Sequence, residues 1–326
     1  MTVENLALSK AITRALDDAM GENPKVVLMG EDIGKLGGVF RVTDGLLEKY
    51  GAARVMDTPL GEAGIVGTAL GLSLRGYRPV AEIQFDGFVF PAFNQITTQL
   101  SRVHSRTNGQ YRVPVTIRLP YGGAVGAIEH HSESPEAYFA HTPGLRVLAP
   151  SSAHDAYWMT RTAIAHPDPV ILLEPKRRYW LKGDVDREET TYNPFKAAVL
   201  REGSNLTLVT HGPLVPMALA AAEAAQEDGH DIEVVDLRSI SPLDIDTIAS
   251  SVARTGRLVI AQEAYNFVSV GSEIAAAVSE RCFFSLEAPV IRVGGFHTPY
   301  PVPRHEEEYV PNIDRILEAV DRSFSY

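Results

Sequence analysis

The sequence predicts an α/β protein of two domains, each built on a parallel sheet. Its 326 residues suffice for two domains of ordinary size. Short apolar runs alternate along the chain with segments of helical period. Many of those runs are continuously apolar, as strands covered on both faces are.

Leu6, Ile12, Leu16 and Met20 fall near helical spacing, and Gly21 ends that first helix. "KVVLMG" reads as a buried strand, "VTDGLLEKYG" as a short helix closed by Gly51, and "RVMD" as a second strand. The glycine-ridged apolar helix "GEAGIVGTALGLSL" follows from about Gly61. "PVAEIQF" is then a strand, "PAFNQITTQLSRVHSR" a helix, and "VPVTIRL" and "LRVLAP" strands. A helix capped near Ser151 and Ser152 leads to the strand "PVILLE". The pattern breaks between Pro175 and Phe195, a charged stretch without period, so residues 181–196 are expected to connect domains 1–180 and 197–326. The second series runs "NLTLVTHG", "PMALAAAEAAQEDG", "IEVVDL", "DIDTIASSVART", "RLVIAQE", "GSEIAAAVSE" and "APVIRVGG", closing on the helix "NIDRILEAVDRSF". The proline-punctuated "HTPYPVPRHEEEY" is expected to be extended, with Glu306 to Glu308 a solvated acidic surface.

The totals bound the function. A net charge of −11 argues against nucleic-acid or anionic-membrane binding and suits a basic protein partner. One cysteine, Cys282, excludes an internal disulfide. Without a signal-peptide core or an apolar run of about 18 residues, the expected location is cytoplasmic.

Three stretches carry candidate chemistry. In "TPLGEAGIVGTALGLSLRG" a single carboxylate, Glu62, stands among Gly61, Gly64, Gly67 and Gly71. Glycines along one side of a helix let another backbone approach, most often in helix or subunit packing. Glu62 is either a favourable charge at a helix N-terminus, worth about 0.3–1 kcal/mol, or a carboxyl raised by an apolar setting and able to share a proton with a ring nitrogen. In "GAIEHHSESPEAYFAH", His130, His131 and His141 match no standard zinc spacing. One of them is available for proton transfer, since imidazole titrates near neutrality. In "EIQFDGFVFPAFNQ" the phenylalanines read as core or as a face on which an aromatic ligand stacks. No phosphate-binding glycine loop is present, and no Gly-Asp-Gly followed by an asparagine for a metal-bound diphosphate.

"TPLGEAGIVG", "EIQFDGFVFPAFNQ", "EHHSESPEAYFAHTPGLRVLAPSS", "DPVILLEPKRRY" and "TPYPVP", in that order, give the chain its resemblance. It resembles the β subunit of the thiamine diphosphate-dependent 2-oxo acid dehydrogenase component along its whole length. "QFDGF" with "GAIEHHSES" is closer to the branched-chain type than to the pyruvate type. The resemblance implies a transketolase-like fold, a pyrimidine-binding domain followed by a transketolase C-terminal-type domain. It implies that Glu62 contacts the aminopyrimidine nitrogen of thiamine diphosphate, with Leu60, Gln84 and Phe88 lining the same pocket. Position 88 is more often tyrosine in the family. His131 matches the histidine that handles protons when the acyl group passes to lipoyl-lysine. A structural potassium ion would fall on Val115, Ala163, Ile164, His166 and Asp168, where the family's usual acid and amide are replaced by His166 and Asp168. The missing diphosphate motif is explained if an α subunit holds the diphosphate and its magnesium. The implied assembly is α2β2, acting on a small 2-oxo acid and docking on the subunit-binding domain of a lipoyl acyltransferase core. The competing readings are the same subunit serving pyruvate or acetoin, and a non-catalytic assembly subunit in which Glu62 is only a helix cap.

Overall fold

The structure, a computed structural model, describes residues 3–326. Two large sheets dominate it. The first orders seven strands as Ser239–Ser241, Arg146–Leu148, Val170–Pro175, Thr116–Tyr121, Arg78–Glu82, Val26–Gly30 and Val55–Asp57. All its neighbours run parallel except Ser239–Ser241, which pairs antiparallel with Arg146–Leu148. The second orders five as Ile291–Gly295, Leu258–Tyr265, Leu206–Thr210, Ile232–Asp236 and Ala198–Arg201, with only the last antiparallel.

Strand alternation divides the first sheet's side chains between two cores. Val26, Leu28 and Val80 point to one face, packed under Leu8, Ile12, Leu16 and Met20 of the first helix, Leu8–Glu22. Met29, Ala81, Ile117 and Leu119 belong to the other, with Ile65, Val66 and Ala69 of the glycine helix, Glu62–Leu74. That second core runs on into Val209, Val235, Leu237, Ile248 and Ile260 of the C-terminal half, so one apolar interior joins both sheets. No helix among the described residues is long and apolar enough to cross a membrane.

Three expectations need correction, and the expected connection gains an element. The stretch expected as a connection contains a strand, Lys182–Asp186, paired antiparallel with Val3–Ala7, and Tyr179 just before it is fully buried. The helix expected over 91–106 is broken into a 3-10 turn Asp86–Ala92, a π-helical turn Gln95–Leu100 and a short α-turn Val103–Arg106. Pro91 lies in the first, and the hydroxyls of Thr97, Thr98 and Ser101 donate to the carbonyls four residues back at 2.7–2.8 Å. The C-terminal proline segment is not simply extended, since Pro303–His305 and Glu306–Tyr309 form short helical turns. Glu306 is buried rather than solvated.

Candidate active site

Glu62 opens the glycine helix directly after Gly61, which gives no side-chain cap, and the residue is only 9% exposed. The helix buries Ile65, Val66, Ala69 and Ser73. Its glycine side is different: a Cβ added at Gly61, Gly64, Gly67 or Gly71 would meet nothing within 4 Å. No backbone among the described residues uses the room those glycines make. Leu60, just before the helix, is 87% exposed. The site therefore faces outward along an unpartnered surface.

A second carboxyl lies beside Glu62. Glu31, which follows the strand Val26–Gly30, accepts a hydrogen bond from the Gly61 N–H at 3.2 Å. Burial, then the charges of Glu62 and Asp32, pushes the Glu31 carboxyl above its usual value. Gln84 donates to the Glu31 carbonyl and to Asp32 Oδ2, both at 3.3 Å. Glu31, Glu62 and Gln84 thus form one group at the carboxyl ends of adjacent parallel strands, where α/β sheets hold ligands. Sequence reasoning passed over Glu31, although an acid immediately after a buried strand was a readable signal.

The Asp86–Ala92 turn packs on the glycine helix and also on the Glu129–His131 turn. This brings Phe88 and His131 together, with ring centroids 5.1 Å apart, and Phe85 to 4.1 Å from His131. His130 stacks on Phe88 at 6.0 Å. Gly87 makes this approach possible, since a Cβ there would lie 2.3 Å from the His130 carbonyl oxygen. His131 Nδ1 is buried with no hydrogen-bond partner. Burial, then the charges of His130 and Lys176, lowers its imidazole below the ordinary value. The third histidine, His141, only ends the Glu136–Ala140 helix, and it has no part in this cluster.

Beneath the cluster Lys176 pairs with Asp86, both fully buried, and Asp86 also accepts from the Glu133 N–H at 2.8 Å. Burial pushes Asp86 up to about 6 despite the facing ammonium. The neighbouring Glu31 and Glu62 carboxyls, a partnerless histidine nitrogen and an aromatic floor fit a flat, basic heterocycle. A groove lined by Ser272, Ala276, Phe283, Leu286 and Arg292 contains none of these residues.

The residues expected to hold potassium do not fit that ion. Arg78 Nη1 donates to the carbonyls of Ile164 at 2.8 Å and His166 at 3.2 Å, so a guanidinium already supplies the positive charge. The Val115 carbonyl accepts from the Val170 N–H and the Ala163 carbonyl from the His166 N–H. The Asp168 carboxylate faces Arg112 at 3.0 Å and Arg146 at 3.7 Å. Among the described residues no group of three or more His, Cys, Asp or Glu could hold a metal ion.

Residues 4–180 match the family described as transketolase, pyrimidine binding domain, and residues 195–316 match transketolase, C-terminal domain. The chain is 57% identical to a pyruvate dehydrogenase E1 component subunit beta of Leifsonia xyli subsp. xyli, across 99% of this chain and 96% of that one. It is 50% identical to a 3-methyl-2-oxobutanoate dehydrogenase subunit beta of Mycobacterium tuberculosis, across 98% and 92%. A solved structure described as a split gene transketolase, inactive beta4 tetramer, superposes with a TM-score of 0.81 at 25% identity, covering 99% of both chains.

Proposed function

This chain belongs to the β subunits of 2-oxo acid dehydrogenase E1 components, built from the two transketolase domains, and from that premise we propose what it does with them. It joins an α subunit in an α2β2 assembly to decarboxylate a branched-chain 2-oxo acid and pass the acyl group to lipoyl-lysine. The observation that carries this reading is Glu62, nearly buried at the head of a helix whose glycine side and flanking Leu60 stand open. Half a site is present, and the surface around it is bare.

Thiamine diphosphate, when bound, supplies the electron sink for decarboxylation. This chain's residues do the rest. Glu62, backed by Glu31, holds a proton at the aminopyrimidine nitrogen. Phe88 and Leu60 pack against the ring, and Gln84 orients the Glu31 backbone. His131, neutral at pH 7, moves a proton as the acyl group leaves for the lipoyl arm. The α subunit holds the diphosphate and magnesium, for which this chain has no motif. The net charge of −11 suits a basic docking domain on the acyltransferase core.

A second reading, pyruvate as substrate, is supported by the name of the 57% identical relative. One experiment addresses both. The affinity-purified chain, taken from its own cells, is weighed in its native state and assayed for bound thiamine diphosphate, then for turnover of branched 2-oxo acids against pyruvate. A second chain with retained cofactor supports the split site, and the better substrate decides between the readings. A homo-oligomer that binds cofactor alone would overturn the proposal.

A further inference from the structure

The loop carrying His131 is held by carboxylates from the other domain. It starts at Gly122, whose N–H donates to the Glu133 carbonyl at 2.9 Å and so closes the loop's two ends on each other. Between them the backbone turns left-handed at Gly122 (φ 84°), Ala124 (57°) and Gly126 (72°). For Ala124 that conformation is unfavourable, costing about 1–3 kcal/mol unless its surroundings impose it. Alternating left-handed turns aim successive N–H groups into one concavity, a nest for an anion.

The anions are the chain's own. Ala124 N–H donates to Glu306 Oε1 at 3.1 Å and Gly126 N–H to Glu306 Oε2 at 2.9 Å. Gly123 N–H donates to Glu263. Tyr300 braces the arrangement: its hydroxyl accepts from the Ala124 N–H and donates to Glu306 Oε1, each at 2.9 Å. Glu263, Tyr300 and Glu306 are all less than 9% exposed. The fit leaves no slack, for a Cβ on Gly123 would lie 1.9 Å from the tyrosine oxygen. Charge-assisted bonds of this kind are about twice as strong as neutral ones.

We propose that Glu306, braced by Tyr300, is a positioning residue for His131, so that the C-terminal domain serves acyl transfer without touching the reacting atoms. The loop's far end is already tied from below by Asp86, and Phe85 and Phe88 wall the imidazole. Glu306 fixes the near end. Loosened there, the loop leaves His131 free to leave its aromatic walls, while Glu62 and Glu31 on other elements keep their places. The functional half of this inference rests on the reading above; the mechanical half does not.

The test uses the assembled complex with Glu306→Gln, and with Tyr300→Phe, which keeps the ring against Gly123 and Tyr309 and removes one hydroxyl. Backbone hydrogen exchange over residues 122–134 should speed up at least about tenfold in Glu306→Gln and less in Tyr300→Phe, with Val26–Gly30 unchanged. Acyl transfer to a lipoyl domain should fall about tenfold, while decarboxylation read with an artificial electron acceptor stays within about twofold. Unchanged exchange in both variants overturns the strap. Faster exchange with undiminished acyl transfer overturns the positioning role. If the wild-type complex transfers no acyl group from any 2-oxo acid, the functional reading fails, and exchange alone still decides whether Glu306 holds the loop.

Discussion

At the scale of single residues, the proposed chemistry rests on two carboxyls and an imidazole. Glu62→Gln keeps the shape and removes the acid, so the assembly should form while turnover falls by about 10²–10⁴-fold, the usual range for a positioned acid or base. Near-normal turnover would instead support a non-catalytic subunit in which Glu62 is a helix cap. His131 is governed by burial first and by neighbouring positive charge next, and both favour its neutral form. A lowered pKa means the proton is lost below the ordinary value of 6.5, so the imidazole is already neutral at pH 7. Acyl transfer should therefore stay level through pH 7 and decline only as pH falls below that value. An acidic limb centred at or above pH 7 in the rate profile would contradict this.

Among the elements, three neighbouring parallel strands are locked by a charge network near their carboxyl ends. Arg118 Nε and Nη2 meet Glu174 at 2.7 and 2.8 Å, Arg118 Nη1 meets Glu82, and the Tyr179 hydroxyl donates to Glu174 at 2.6 Å. All four side chains are buried, and burial drives the Glu82 carboxyl upward against the pull of Arg118. Removing the cation strands two carboxylates in the interior. Arg118→Met should cost about 3–5 kcal/mol in chemical denaturation. Arg118→Lys should recover only part of that, since an ammonium cannot grip Glu174 with two parallel donors. A loss below about 1 kcal/mol for the methionine variant would show that the carboxylates find water or protons instead. The glycine helix shows the opposite economy. Its apolar side is filled from within the chain, and a Cβ on its glycine side would meet nothing among the described residues.

The whole molecule is joined more tightly than two domains on a linker would be. Ser239–Ser241 leaves the C-terminal half to extend the N-terminal sheet. Beside it Asp236 lies near Asp155, with Ser151 Oγ donating to Asp236 at 2.6 Å and Arg238 meeting Asp155 at 3.0 Å. Burial, then repulsion from Asp155, pushes Asp236 up to about 6 from 3.8. A carboxyl whose folded value is raised stabilises the fold below its unfolded value and loses that contribution as pH climbs through the folded one. Asp236→Asn should thus match the wild type near pH 4 and exceed it at pH 7, by on the order of 2 kcal/mol. Thermal melts across that range check it. A constant difference would mean that Asp236 is not the group titrating at the junction.

Much of this was legible in the chain as written. Continuous apolar runs marked the central strands, since strands buried on both faces have no polar side to show. Glu62 announced itself as a lone charge in a glycine-rich apolar run, and the ordered motifs carried the family. Short motifs and periodicities record local geometry, and they are read without knowing which distant segments meet. Tertiary structure decided the rest. The bond from Ala124 to Glu306 spans 182 positions, and the one from Arg78 to His166 spans 88. No local pattern distinguishes an acid that will be drawn into a loop's amides from one left in water, so "EEE" read as surface. The same limit hid Glu31 beside Glu62 and the guanidinium in the expected ion site. Sequence marked the residues on which the proposed chemistry rests, and folding determined which others hold them in place, because long-range pairing is set by the packing of the whole chain.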